Sequence, residues 1–500
     1  MKATAFFTFV LMALPAFAWK ENFSFETIPN PPGIDPQVGA MDTMKDGRIA
    51  VAFHRGEVMI YDPSSSSWSL FASGLHEPLG MLVEDDGSIL VMQRPELTRL
   101  KDTDSDGSAD EYETVFDDFG MSGNYHEFSY GPANDSQGNL YIVLGVASNG
   151  APMAEEIRGD FSEIGELDRK GMYDKGSWGK NKDKAGRMYS RVPYRGWVLK
   201  LSPDGSKVEP FASGFRSPNG IGFDAKGRLL ITDNQGDWRP TSPLYEVKEG
   251  GFYGHPASLV WKKDWDGKDP LKMDVKEFDA MQQPAAGYFP QGELANSPTW
   301  PVVIPKGSFP EGFTSQTLIG EMNQPNLVRV LDDEVGGVFQ TALVPVFDGS
   351  PLGIGSNRMA FGTDGSLYVG KTALSWPGDK GIMKIKWNGK PFLSLDGIKA
   401  VKSGFELRFS EPLDSATLAT LAIKSHKYKY HADYGSPKVD EKKMDVKSTK
   451  LSNDGLTLSV DIGGLKEGYL HHINMSGLRS KSGSEVLGSQ AWYQAVKTPQ

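Results

Sequence analysis

The chain has no cysteine in 500 residues. Disulfides, thiolate nucleophiles and covalent haem attachment through a CxxCH motif are therefore excluded. Any metal must be held by oxygen or imidazole, and histidine is itself scarce at 8. Positive charge is in deficit: 53 Lys and Arg stand against 64 Asp and Glu, for a net charge of −11. Proteins that grip phosphate backbones carry a basic excess, so no nucleic-acid partner is expected. Long apolar runs are missing too. The stretch MKATAFFTFVLMALPAFA at residues 1–18 holds one that is too short to span a bilayer. With Lys2 before it and Ala16-Phe17-Ala18 at its end, it reads as a secretory signal peptide cut before Trp19. The mature chain is expected in the periplasm or outside the cell, with no membrane span.

What the chain has in quantity is glycine (57), tyrosine (17) and tryptophan (11). Many short strands joined by glycine turns use residues this way. A unit recurs along the chain: an apolar lead-in, a turn of the Asp-Gly kind, then an alternating strand. It appears as MKDGRIAVAF (44–53), VEDDGSILVM (83–92), NDSQGNLYIV (134–143), FDAKGRLLIT (223–232) and GTDGSLYVG (362–370). Each is a β-hairpin signature whose glycine can take a positive φ. The first spacings suit one four-stranded propeller blade of roughly 40–50 residues. The longer gaps hold an insertion at 147–192, a further strand unit (SQTLIGEMNQPNLVRVLD, 315–332) and a loop-rich stretch at 254–312. The expected fold class is all-β: a six-bladed β-propeller over residues 19–391, with the long loops covering one mouth of its channel.

Near residue 392 the character changes. GFELRFSEPLDSATL (404–418) and GLTLSVDIGGLKEGYLHHINMSGLRSKSGSEVL (455–487) resemble a bacterial Ig-like domain, implying a β-sandwich at 392–500. His426, His431, His471 and His472 fall there and read as surface or packing residues.

The most specific motif is DTDSDGSADEYE, residues 102–113, which fits D-x-D-x-D-G-x5-E in full. Asp102, Asp104 and Asp106 alternate as oxygen ligands, Gly107 permits the sharp turn, and Ser108 and Asp110 fit the next two positions. Glu113 can close the shell. The flanks read as strand and loop, so the expectation is a structural Ca2+ clamp within a blade. A second dense stretch, residues 214–256, places Arg216, Asn219, Asp233, Asn234 and Gln235 at strand ends around glycines. Such polar groups suit a ligand pocket at the channel mouth, or hydrogen bonds between blades. His126 in SGNYHEFSYGP is open to three readings: catalytic base, metal ligand or core histidine.

These phrases resemble the PQQ-dependent soluble sugar dehydrogenases, the glucose/sorbosone dehydrogenase family. QRPELTRLKDTDSDG, SGNYHEF, RSPNGIGF, DNQGDW, EMNQPNL and NRMAF carry the resemblance, over residues 75 to about 388. It implies a six-bladed propeller with PQQ at the channel mouth and a Ca2+ beside the quinone. His126 would then be the general base taking a proton from a sugar hydroxyl, and Arg216 would pair with the quinone oxygens. Asn219, Asp233 and Gln235 would face the cofactor, and Arg358 and Lys371 would meet its carboxylates. Without a haem of its own, the chain would pass electrons to an external acceptor such as a c-type cytochrome or cupredoxin. Four departures are visible: Ser217 replaces the family's Asn, DNQG replaces its EHGP, Arg358 is out of register with the family's last-blade arginines by about one position, and Leu79 stands where other members carry a cofactor arginine.

PNGIGF…ITDN also resembles the gluconolactonase-type propellers, in which Asn219 and Asp233 would hold a divalent metal. A non-catalytic glycan-binding propeller is a third reading. Under any of the three, Trp197, Trp238, Tyr253, Trp300 and Trp376 are candidate sugar platforms or core aromatics.

Overall fold

A computed structural model describes Trp19 and residues 21–173, 187–373 and 378–500. The expected signal peptide, Trp376 and the middle of the first insertion lie outside the described residues. Five four-stranded antiparallel sheets and the first four strands of an eight-stranded one form a ring. Their innermost strands are Val38–Thr43, Gly80–Val83, Ser129–Asn134, Pro218–Phe223, Pro298–Val303 and Ser356–Phe361. Each packs against the next, and the sixth returns to the first. This is the all-β propeller that the repeats predict.

Local chemistry sets the hairpins. The five turn glycines have φ between +76° and +94°, a region costly for any residue with a Cβ. Where an aspartate precedes the glycine it caps the turn: Asp86 accepts the Ser88 N–H at 2.9 Å, and Asp364 that of Ser366 at 3.0 Å. The chain's own start closes the ring. Phe23–Ile28 pairs with Gly381–Trp387 as the outermost strand of the sixth blade, Phe23 opposite Trp387 and Ile28 opposite Ile382. Phe23 then packs edge-on against Phe309 and Phe347.

The stretch expected to be loop-rich, 254–312, contains two strands: Gly287–Phe289, and the inner strand Pro298–Val303 of the fifth blade. Pro298 and Pro301 hide the latter from sequence patterning. They are tolerated because an inner strand is the edge of its own sheet and needs a partner on one side only. The described parts of the two insertions touch, since Trp261 Nε1 donates to Ser190 Oγ at 2.8 Å. The first joins Leu140–Leu144 to Trp197–Leu201 in the third blade and is tied to the segment before the third inner strand, because the Asn124 amide donates to the Ser148 and Ala151 carbonyls. The second leaves Ser242–Val247 in the fourth blade.

The C-terminal residues form a sandwich that shares a sheet with the propeller. One layer is Leu395–Val401, Gly404–Phe409, Thr457–Asp461 and Ser448–Leu451. The other continues the fifth blade. Val338–Val346 pairs with Gln490–Ala495, placing Ala342 opposite Tyr493 and Leu343 opposite Trp492, and the sheet reaches eight strands. Side-chain alternation explains the fusion. Ala342 and Val344 face the sandwich core with Phe405, Leu407 and Ile473, whereas Leu343 faces Leu230 and Leu244 of the fourth blade. His426 and His471, expected as surface or packing residues, are buried at 1% exposure each.

Asp333 fastens this junction, accepting the Tyr493 hydroxyl at 2.6 Å and the Ala400 N–H at 2.8 Å. Tyr493→Phe leaves a buried carboxylate one donor short. The expected loss is about 1–3 kcal/mol, read as a lower urea midpoint. Because sheet and core are shared, propeller and sandwich should unfold in one transition by fluorescence and circular dichroism.

Candidate functional site at the channel mouth

Five of the six inner strands shift register near their first residues: between Val38 and Ala40, Tyr130 and Ala133, Pro218 and Gly220, Pro298 and Pro301, and Ser356 and Arg358. A bulge leaves a residue outside the ladder and re-aims its side chain. Asn219 and Asn357 are such residues. Between them lies Arg358, which is 1% exposed. Its Nε and Nη2 donate to the Leu79 carbonyl at 3.2 and 2.7 Å. Its Nη1 donates to Asn219 Oδ1 at 3.1 Å and to Asn357 Oδ1 at 2.8 Å. The guanidinium carbon lies 5.2 Å from the centre of the Tyr130 ring and 5.0 Å from that of Trp300. One side chain thus touches blades two to five as well as its own. All its hydrogen-bond acceptors are neutral, and burial lowers its pKa to about 10.

His126 stands just before the third inner strand. Asn124 shapes its loop, since Oδ1 accepts the N–H groups of His126 and Ser148, each at 3.1 Å. The imidazole meets Tyr125 edge-on at 5.3 Å, and its buried Nδ1 has no hydrogen-bond partner. Burial first, then the nearby Arg216 and Arg94, hold its pKa down to about 4. The ring is therefore neutral at neutral pH and can accept a proton.

Arg216 occupies the matching place before the fourth inner strand. Its Nε donates to Asp237 Oδ1 at 2.7 Å and its Nη1 to the Gln235 carbonyl at 3.3 Å. Gly236 makes this approach possible, because a Cβ there would lie 1.9 Å from the guanidinium carbon. Asp237 also accepts the Met188 N–H at 3.0 Å and lies 3.5 Å from His255 Nε2. Burial alone would raise the Asp237 carboxyl, but Arg216 and His255 hold it well below the usual carboxylate range. Arg94, paired with Glu77, donates to the Asn124 and Tyr125 carbonyls and stacks 4.4 Å from the Phe128 ring centre. It is thereby the brace of the His126 loop.

The structure thus brings His126, Arg216, Asn219 and Arg358 to one mouth. Lys371 follows from the second strand of the sixth blade. It is buried, which lowers its pKa, and its Nζ lies 3.8 Å from Asp379. Asp233 and Gln235 are differently placed from the cofactor-facing role implied for them. Asp233 Oδ1 accepts the N–H groups of Ser217 and Asn234, and Oδ2 accepts the Arg216 N–H and Arg239 Nε. With four donors on two buried oxygens, it serves as the corner post of the fourth blade. The Gln235 amide donates to the Pro240 carbonyl and lies against Gly435. Among the platform candidates, Trp197, Trp238 and Tyr253 are core residues and Trp300 lies beside Arg358. Sequence reading missed Asp237 and Arg94 although it quoted their phrases, because nothing in DNQGDW or QRPEL tells which charge faces inward.

The acidic loop joins Leu97–Lys101 to Glu111–Phe116, two strands of the second blade. Asp102, Asp104 and Asp106 each offer an oxygen within 4.8 Å of one another. Asp110 and Glu113, also expected in the shell, have other partners. Asp110 accepts the Thr103 and Asp104 N–H groups. Glu113 sits opposite Arg99 on the ladder and binds Lys101 at 2.8 Å. Among the described residues, no helix is long and apolar enough to cross a membrane.

Fold and site together define a propeller with a cationic, histidine-bearing channel mouth. Residues 61–198 match a family model described as a domain of unknown function (DUF7133). No curated protein sequence matches the chain. Solved structures that resemble it include the PQQ-bound aldose sugar dehydrogenase of Streptomyces coelicolor, at 16% identity over 73% of this chain and 98% of that one, with a TM-score of 0.46. The PQQ domain of the pyranose dehydrogenase of Coprinopsis cinerea is 12% identical over 73% and 95%, TM-score 0.48. A protein described as a gluconolactonase is 12% identical over 73% and 92%, TM-score 0.41. None of these likenesses reaches a TM-score of 0.5, so the chemistry has to be read from this chain's own residues.

Arg358→Met would strand Asn219 Oδ1 and the Leu79 carbonyl across the channel. The expected cost is about 2–4 kcal/mol of stability, measured as a shift of the denaturant midpoint.

Proposed function

We propose that the protein is an exported quinoprotein-type dehydrogenase that oxidises a sugar hydroxyl at this channel mouth. The observation that carries the reading is a neutral imidazole with an unpartnered Nδ1, within the field of Arg216, at the same mouth as a buried arginine whose acceptors are all uncharged. Such a set suits a polyanionic cofactor and a proton-losing substrate. PQQ fits these residues: Arg358, Arg216 and Lys371 would meet its carboxylate and quinone oxygens, with Asn219 as a neutral neighbour. When bound, the quinone supplies the hydride acceptor.

The chain's own residues do the rest. His126 takes the hydroxyl proton, an act for which the imidazole must arrive unprotonated. Burial, helped by Arg216 and Arg94, keeps it so, and Asn124 fixes its loop. Arg216, aimed by Asp237, favours negative charge growing nearby. Electrons leave to an external carrier such as a c-type cytochrome or cupredoxin. Residues 1–18, with the pattern of a leader, support export to the periplasm or beyond.

The lactonase reading fits less well, since Asp233 has both oxygens in hydrogen bonds and the Asn219 oxygen accepts from Arg358. For Ca2+, the oxygens of Asp102, Asp104 and Asp106 form a partial hard-cation shell, and we propose that it clamps the second-blade hairpin.

The deciding measurement is titration with PQQ and Ca2+, followed by sugar-dependent dye reduction. A purified protein that takes up no PQQ overturns the reading. In His126→Ala, kcat should fall by about 10²–10⁴-fold while PQQ uptake persists. The neutral ring is the active form, so kcat/KM should stay level well below the ordinary histidine pKa of about 6.5 and decline only as pH falls through about 4. For the clamp, added Ca2+ should raise the melting temperature, and Asp104→Asn should abolish that rise.

A further inference from the structure

The sandwich sends one loop across to the channel mouth. Residues 428–437, YKYHADYGSP, follow the strand Ala422–Lys427 and lie on the segment that holds Arg216. Backbone bonds dock it. Gly435 N–H donates to the Gly236 carbonyl at 2.9 Å, Ser436 N–H donates to the Pro240 carbonyl at 2.8 Å, and Tyr434 bridges Asp237 antiparallel. Side chains add to this. The Tyr430 hydroxyl donates to the Gly254 carbonyl at 2.6 Å, and its ring packs 5.6 Å from Trp238. Arg187, from the first insertion, donates to the Ala432 carbonyl and lies 3.3 Å from Asp433.

Out of this anchored loop projects one aromatic ring. Tyr434 is 59% exposed, the most open large hydrophobic side chain among the described residues. The Arg216 guanidinium lies 5.5 Å from its ring centre. Arg216 is also the charge that most depresses His126 after burial itself. The exposed ring therefore stands next to Arg216 while its loop is pinned to the propeller. A single exposed aromatic is ordinary on a protein surface; what marks this ring is that an anchored loop holds it against Arg216 at the channel mouth. A pyranose presents a face of C–H groups that packs on an aromatic plane, with its hydroxyls free to reach a base beyond the ring edge.

We propose that Tyr434 is a substrate-contact residue: the platform on which the sugar ring stacks while its hydroxyl faces His126. The sandwich then completes the active site of the propeller. This inference rests on the sugar-oxidation reading for its substrate class, but not for its test. Full-length protein without cofactor is titrated with D-glucose, D-xylose and cellobiose by calorimetry, as wild type, Tyr434→Ala and Tyr434→Phe. PQQ uptake of each is measured separately.

Tyr434→Ala should weaken sugar binding by about tenfold, the scale of one aromatic stacking contact. Tyr434→Phe should bind within about twofold of wild type, since the ring and not the hydroxyl makes the contact. PQQ uptake should be the same in all three. In loaded enzyme the alanine variant should raise KM with kcat nearly kept, the mark of uniform binding lost. Tyr434→Ala that binds sugar as tightly as wild type, or a wild type that binds none of the three sugars, overturns the inference. Loss of PQQ uptake in the alanine variant overturns it too, since that makes the ring a cofactor or folding element. Sugar binding that depends on Tyr434 in a protein that takes up no PQQ would uphold the platform and sink only the dehydrogenase reading.

Discussion

Everything at the channel mouth depends on one strand pairing. The ladder between Phe23–Ile28 and Gly381–Trp387 joins the two ends of the propeller. An open ring would leave the sixth blade without its outer strand and expose an apolar edge. Closed, it forces six inner strands to converge on one axis, and their first residues meet at one mouth. The recurrent bulges there free Asn219 and Asn357 from the ladder. Arg358 then links the second to the sixth blade around the channel. Ring closure is in this sense the first condition of the site, since neither His126 nor Arg216 has a counterpart until their blades are neighbours.

The electrostatics of the mouth follow from how its charges are compensated. Arg216 faces Asp237 and Arg94 faces Glu77, each cation held by an anion that fixes its direction. Arg358 has only neutral acceptors. A buried cation of this kind retains its appetite for negative charge, because carbonyl dipoles solvate it without neutralising it. Burial first, and then the Arg216 and Arg94 charges that would welcome a carboxylate, keep the His126 ring unprotonated. An overall charge of −11 therefore conceals a local reversal of sign on the axis.

The C-terminal sandwich is part of the same body as the propeller. The strand Val338–Val346 is long enough to serve the fifth blade and then pair with Gln490–Ala495. Its two faces belong to two cores. That shared strand sets the orientation of the sandwich, and the orientation carries its 428–437 loop to Gly236 and Asp237. A flexibly tethered domain would hold no such register. The cost of ordering the loop is offset by backbone hydrogen bonds on the propeller side and by aromatic packing around Trp238.

The sequence by itself determined the local elements. Tight glycine turns favour positive φ whatever surrounds them, so the hairpins at Gly47, Gly87, Gly138, Gly227 and Gly365 were legible, as was the alternation of their strands. His126 and Arg216 stood out because they sit immediately before strands, where propeller side chains reach the axis. The inner strand with Pro298 and Pro301 was not legible, since proline reads as a breaker unless the strand is known to be an edge. The partners of Asp233 and Glu113 were not legible for a related reason. A carboxylate's chemistry depends on which donors reach it, and Arg239, Arg99 and Lys101 are brought there by pairing between strands. Asp237, Arg94 and Tyr434 were decided by the tertiary structure alone. Their partners come from other loops, other blades or another layer, and no periodicity within one chain segment encodes a contact made across the ring.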